Sequence, residues 1–430
     1  MKINKWTLGL AAVGLVSLTP ALRAADATPG PQPILTAMSA TTISGYVDTS
    51  AVWNPGTGNN YAAPYAFNGG KQDGFNLDAV AVRIAKPLDE GKWSAGYVAE
   101  VMLGPDATAA LGGAYPIREA YVSLRANVGN GLDFKLGQWD NLLGYEGTDA
   151  MNDPNFTRSY GYTIEPTEHI GLLGSYIWGD PDKGMVQFQG GVADELQAGL
   201  TRNVSGTPPP GSFGPNTTTT IESKKAIVSL LTLQAPKSWG GIGGSALYAG
   251  LDYGPGNATF SHPAVGTYFT PAASSHVVDK LELYVGATIM TPVKGLSLGA
   301  SWDTINNSDQ GAVEGYASAV AGYLSFHVPD TKLTLNTRAE FAHGSAFDNM
   351  FLGNYWINSK GKVIIPEEVK VFAVTETIEY KLWGDNVITR LEARWDTSMD
   401  GSPMFGGTAT GGGASKNNEL MIAANVIYKF

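Results

Sequence analysis

The stretch "NELMIAANVIYKF" (418–430) decides the fold. Counting back from Phe430, alternate residues are Tyr428, Val426, Ala424, Ile422 and Leu420. The set between them, Lys429, Ile427, Asn425, Ala423, Met421 and Glu419, is mixed. Strict alternation over this length predicts a half-buried strand rather than a helix. The question is how many such strands the chain holds and what their two faces meet.

Working outward, the same period-2 signal recurs from Thr41 onward. It predicts strands near 41–54, 73–86, 92–103, 117–127, 131–139, 168–178, 184–194 and 222–235. A second set follows near 241–253, 277–291, 295–305, 316–328, 331–344, 369–382, 386–396 and 418–430. Each of these sixteen is long enough to cross a bilayer at a tilt. Short turns such as "PLDEG", "VGN", "DPDK", "PKSWG", "PVK", "PD" and "WGD" alternate with long connections at 55–72, 104–116, 140–167, 195–221, 254–276, 306–315, 345–368 and 397–417. The turns hold the Pro, Gly and Asp that tight reversals need. In an up-and-down meander this order collects all short turns at one end and all long loops at the other. That asymmetry belongs to transmembrane barrels, with short periplasmic turns and long external loops. The expected fold is therefore all-β, an up-and-down antiparallel barrel of about sixteen strands over 41–430, too wide for side chains to fill.

Composition permits this. Charged residues make up 16%, hydrophobic ones 43%, and mean hydropathy is −0.07. A barrel hides from such an average because its apolar and polar faces cancel. No cysteine is present, which excludes disulfides, thiolate metal sites and cysteine nucleophiles. The acidic balance, −11, argues against nucleic acid as a partner.

The first residues read as a leader. Lys2 and Lys5 precede an apolar run from Trp6 to Leu18, then "ALRAADA" supplies small residues for cleavage after Ala24, or as late as Ala27. That run is too short to span a bilayer as a helix. We therefore expect a signal peptide over 1–24, a periplasmic lead-in over 25–40, and an exported barrel in the bacterial outer membrane.

The faces agree. In "KLTLNTRAEFAHG" (332–344), Leu333, Leu335, Ala339 and Phe341 oppose Lys332, Thr334, Asn336, Arg338 and Glu340. In "NVITRLEARWD" (386–396), Val387, Leu391, Ala393 and Trp395 oppose Arg390, Glu392, Arg394 and Asp396. Trp93, Trp178, Trp239 and Trp383 fall at the short-turn end, and Trp53, Trp302 and Trp395 near the long-loop end. They are expected to form two girdles at headgroup depth. Trp139 and Trp356 do not fit that scheme.

The longest connection, "DNLLGYEGTDAMNDPNFTRSYGYTIEPT" (140–167), carries Asp140, Glu146, Asp149, Asp153 and Glu165 against one basic residue, Arg158. With its flanks it also carries a family resemblance. "EAYVSL", "KLGQWDNLLGYE", "NDPNFTRSYGY" and "HIGLLGSY" together resemble the signature region of the OmpL-like β-barrel porins of Gram-negative bacteria. "EPTEH" is more acidic than the family's usual segment there. The resemblance covers about sixty residues. In sixteen-stranded general porins the third external loop folds inward, and this too is loop three. There it would make an acidic constriction opposite Arg125, Lys135, Arg338, Arg390 and Arg394, selecting permeants by charge and shape. Alternatively, the loop covers the mouth from outside with its carboxylates solvated. The outward row ending in Tyr428 and Phe430 resembles the terminal signal read by the outer-membrane assembly machinery. General porins of this strand number are commonly homotrimers, and no feature of the sequence fixes the subunit count here.

Other motifs fail on context. "GLSLG" (295–299) fits a hydrolase elbow but runs into a strand where a helix is needed, leaving Ser297 an ordinary lumen residue. "GIGGSA" (241–246) matches a dinucleotide fingerprint but reads as a glycine-rich strand. The five histidines, at 169, 262, 276, 327 and 343, show no metal-ligand spacing. The expected function is passive diffusion of small hydrophilic solutes or ions, with no catalytic residue, cofactor or metal. The other reading is a barrel with a closed lumen that binds a surface partner through its loops.

Overall fold

A computed structural model describes residues 41–56, 61–69, 71, 73–89, 91–111, 116–180, 182–194, 196, 224–259, 275–308, 315–345, 356–357, 363–364, 368–407 and 414–430. The expected leader and lead-in lie outside the described residues, as do most of the connections 195–221 and 345–368.

The strands are β1 (Thr42–Trp53), β2 (Gly74–Lys86), β3 (Ser94–Leu103), β4 (Ile117–Ala126), β5 (Leu132–Asp140) and β6 (Glu168–Asp180). They continue with β7 (Gly184–Ala193), β8 (Ala226–Gln234), β9 (Ala246–Thr259), β10 (Ser275–Met290), β11 (Leu296–Ser308) and β12 (Gly315–His327). After β13 (Leu333–Ser345), a minimal hairpin of β14 (Trp356–Ile357) and β15 (Val363–Ile364) stands apart. The chain then returns through β16 (Glu368–Leu382), β17 (Val387–Ser398) and β18 (Asn418–Lys429). All but the hairpin form one closed barrel of sixteen antiparallel strands in chain order. Short helices, α1 (Pro105–Leu111) and α2 (Tyr160–Ile164), lie in the second and third long connections.

Closure is made by the quoted terminal strand. β18 pairs with β1 from Tyr46↔Lys429 to Trp53↔Ile422. Beyond that ladder, Phe430 and Gly45 exchange backbone hydrogen bonds of 3.0 and 3.1 Å. A closed ladder leaves no edge, the condition for strands in lipid.

Outward rows expose their apolar residues, as Leu391 (53%) and Trp395 (41%) on β17 show. Inward neighbours Arg390, Glu392, Arg394 and Asp396 are buried. The seven interface tryptophans named above are all exposed, whereas Trp139 is fully enclosed inside.

Two bulges break the alternation. Asp48 pairs with Ala79 and Thr49 with Leu77, leaving Asp78 extra; Glu100 pairs with Glu119 and Val101 with Ile117, leaving Arg118 extra. Bulges re-aim a side chain, and here Asp78 and Arg118 are both buried beside neighbours that are buried too. One expectation is corrected: "GIGGSA" is not strand. Its first residues belong to a turn in which Gly240 (φ 66°) and Gly244 (φ 88°) adopt left-handed backbone, so β9 starts only at Ala246.

Candidate functional site

The connection between β5 and β6 runs into the lumen. At its root the Asn141 N–H donates to Thr167 O (2.9 Å), and Trp139 packs against Tyr121, Leu173, Val228 and Leu142. His169 Nε2 lies 3.2 Å from Asn141 Oδ1 and 3.1 Å from Asp252 Oδ2 on β9. Leu143 reaches Leu230 and Tyr284 on β8 and β10. Tyr145 stacks on Tyr323 of β12 with ring centroids 4.1 Å apart.

The middle of the loop is fastened to β13, β16 and β17. Arg338 donates to Glu146 Oε1 (2.7 Å), Thr157 O (2.7 Å) and Arg158 O (3.2 Å). Arg390 donates to Ala150 O (2.8 Å) and Asp153 O (2.6 Å), and Arg394 to Arg158 O (2.7 Å). Asn336 holds Pro154 O at 2.7 Å. Acidic wall residues take the loop's donors. Glu392 accepts from the N–H groups of Phe156 (2.6 Å) and Thr157 (3.0 Å) and from Thr157 Oγ1 (2.6 Å). Glu340 accepts the Tyr160 N–H (2.6 Å), and Asp396 the Tyr160 hydroxyl (2.8 Å). α2 is capped by Ser159, whose side chain accepts from the Tyr162 N–H.

Inside the loop, Arg158 braces the turn. It donates to Gly147 O (2.8 Å) and Thr148 O (2.9 Å) and sits 3.1 Å from Asp153. Burial pushes the Asp153 carboxyl up to about 6 against the pull of Arg158. Burial, then the negative charges of Asp303 and Glu282, push Glu165 well above the usual carboxylate range. The first and last long connections add cover: Tyr65, with Met404 and Phe405, joins Tyr160 and Ile164 in an apolar cluster on the inner wall.

The remaining charges gather at β2–β5. Arg118 sits 2.6 Å from Glu100, 3.4 Å from Asp149 and in contact with Asp140. Arg83 pairs with Glu100 (2.6 Å) and Glu119. Lys135 lies over the Tyr121 ring, 4.5 Å from its centroid. The side chains of Asp140 and Arg83 keep 37% and 30% of their surface exposed, and Asp149 keeps 17%.

Of the residues named from sequence, Glu146, Asp153, Arg158, Arg338, Arg390 and Arg394 come together, all buried. The three wall arginines therefore do not face the loop across an aqueous gap: its backbone carbonyls occupy them. Asp140, Asp149 and Lys135 lie in the β2–β5 group. Arg125 stands apart, donating twice to Asp133 at 2.6 Å near the β4–β5 turn. Sequence reasoning missed Arg83, Glu100, Arg118 and Glu119 on β2–β4. Alternation alone sends one of the adjacent pair Arg118 and Glu119 outward, and only the bulge brings in both. Among the described residues, no group of three or more His, Asp or Glu could hold a metal ion.

The sequence matches the family described as "Putative beta-barrel porin-2, OmpL-like" over residues 40–430. No curated protein matches it. Among solved structures, OprB of Pseudomonas putida aligns with TM-score 0.55 at 13% identity, covering 91% of this chain and 94% of that one. The trimer form of OmpT, an outer membrane protein of Vibrio cholerae, aligns with TM-score 0.53 at 12% identity, covering 91% and 99%. An anion-selective porin from Comamonas acidovorans aligns with TM-score 0.50 at 12% identity, also covering 91% and 99%. At such identities the likeness is one of fold.

Proposed function

Because the chain belongs to the OmpL-like β-barrel porin family of the bacterial outer membrane, we propose that it is a passive diffusion channel for small hydrophilic solutes or ions. The observation that carries this reading is the loop over 141–167. It is fastened to β13, β16 and β17, while Arg83 and Asp140 on β2–β5, and the loop's own Asp149 beside them, keep contact with solvent. A loop so placed narrows a wide barrel to a charged passage, and charged side chains lining a passage discriminate among permeants. The channel performs no reaction and uses no cofactor. Its short turns face the periplasm, its long connections face outward, and a cleaved leader exports it.

Liposomes carrying the purified barrel test this by swelling in sugars and amino acids of graded size. A size cut-off supports the channel; indifference to every solute removes it. The closed-lumen reading also has an observation in its favour, the apolar cluster of Tyr65, Tyr160, Ile164, Met404 and Phe405 inside the barrel. It requires no swelling from a correctly inserted barrel.

We also place the chain in a homotrimer, as the trimeric fold relative suggests. Glu376 supports this. Midway along β16, it stands in an outward row between Val374 and Ile378, bonded by Thr337 Oγ1 at 2.8 Å and exposed. A charge on the lipid face is disfavoured at mid-depth, and a neighbouring subunit would cover it. The mass of the detergent-purified protein decides between one copy and three.

A further inference from the structure

We infer that the channel prefers cations to anions, an inference that rests on the diffusion-channel reading above. It follows from which charges are already committed. Arg338, Arg390 and Arg394 are fully or almost fully buried, and each donates to backbone carbonyls of the loop. Each also meets a carboxylate: Glu146 and Glu340 at Arg338, Glu379 at Arg390, Glu340 and Asp396 at Arg394. Arg158 is likewise held within the loop beside Asp153. None of the four is free to hold a passing anion.

On the solvent-contacting β2–β5 side, carboxylates outnumber their partners. Arg118 meets Glu100, Asp140 and Asp149, and Arg83 meets Glu100 and Glu119, so two guanidiniums face four acids. The buried oxygens Asp140 Oδ1 and Asp149 Oδ1 have no hydrogen-bond partner among the described residues. Lys135, whose charge acts on Glu119, lies on the Tyr121 ring. On the β9–β11 wall, Asp252 and Glu282 are cross-strand neighbours, with Asp303 beside them and Lys280 and His169 as the basic groups. Both Glu282 oxygens lack a hydrogen-bond partner among the described residues. A passage with low-dielectric walls concentrates the field of such an excess, and that field draws counter-ions. The selecting residues on the open side are Asp140 and Asp149.

The test is the reversal potential of single channels in a planar bilayer under a potassium chloride gradient. Three proteins are compared: the parent, the double variant Asp140→Asn with Asp149→Asn, and Lys135→Gln. The parent should favour potassium several-fold at about 0.1 M salt and lose much of that preference near 1 M, where the Debye length shrinks to about 3 Å. The double variant should move the ratio toward one, and Lys135→Gln should move it the other way. Steady current with a chloride preference overturns the inference and leaves the channel standing. A potassium preference untouched in both variants overturns its assignment to the β2–β5 side. An inserted barrel without current overturns the channel itself, and the inference with it.

Discussion

Replacing Glu392 by Gln tests how firmly the loop is held. One carboxylate receives the Phe156 N–H at 2.6 Å, the Thr157 N–H at 3.0 Å and the Thr157 hydroxyl at 2.6 Å, plus the Thr377 hydroxyl at 2.7 Å. Glutamine keeps the shape but turns one acceptor into a donor, facing two of those donors. Hydrogen bonds to a charged group contribute about 1.5–3 kcal/mol each, and a buried donor left unmatched costs about 1–3 kcal/mol. The Thr157 hydroxyl can rotate to another acceptor, so a loss of about 3 kcal/mol in loop seating is the working figure. At 1.36 kcal/mol per tenfold, local opening becomes roughly a hundred times more frequent. Hydrogen exchange of the segment 150–165 in lipid nanodiscs reads this directly. Protection should fall at Phe156 and Thr157 while the β-ladder holds. Exchange there within about twofold of the parent refutes the reasoning, because these bonds would then not hold the loop.

Three further outcomes follow from the same geometry. Arg338→Met leaves Glu146 buried without its basic partner while Glu340 keeps Arg394, which costs about 3–5 kcal/mol and should lower the unfolding temperature of the purified barrel. Gly144→Ala forces a side chain into backbone at φ +103° with its Cβ against the buried Glu165 carboxyl, so loop protection should fall as in Glu392→Gln. Loop seating should also weaken as pH rises. The raised carboxyls of Asp153 and Glu165 favour the seated loop when protonated. That contribution is full below their free-chain range near ~4. It is lost for Asp153 as pH climbs through about 6, and for Glu165 as pH climbs through its own raised range. Exchange corrected for its intrinsic pH dependence should show more protection at pH 4 than at pH 7.

The barrel was legible because its signal is local. A strand with lipid on one side and a charged interior on the other alternates residue by residue, as "NVITRLEARWD" does, and sixteen such stretches need no knowledge of one another. The exceptions have local causes of their own. The bulges at Asp78 and Arg118 each add one residue that alternation cannot place, and glycines at 240 and 244 turn a strand-like run into a bend. The site was legible only as charge. Arg338, Arg390, Glu392 and Arg394 stand out on one face of their strands, and the acidic loop stands out between β5 and β6. What joins them does not. Arg390 and Arg394 find Ala150 O, Asp153 O and Arg158 O, and every residue has a carbonyl, so no residue type marks those partners. These contacts also bridge more than 230 residues of chain, as between Phe156 and Glu392. The resemblance placed the loop in the lumen; the structure shows that its wall cations hold its backbone rather than face it across water.

The most direct test of this account is the single-channel conductance of the barrel with and without residues 146–158. If the loop narrows the passage, the parent gives small, steady current steps, and its removal enlarges them several-fold and weakens discrimination by charge. Equal conductance from both proteins would contradict the account, as would silence from both once inserted.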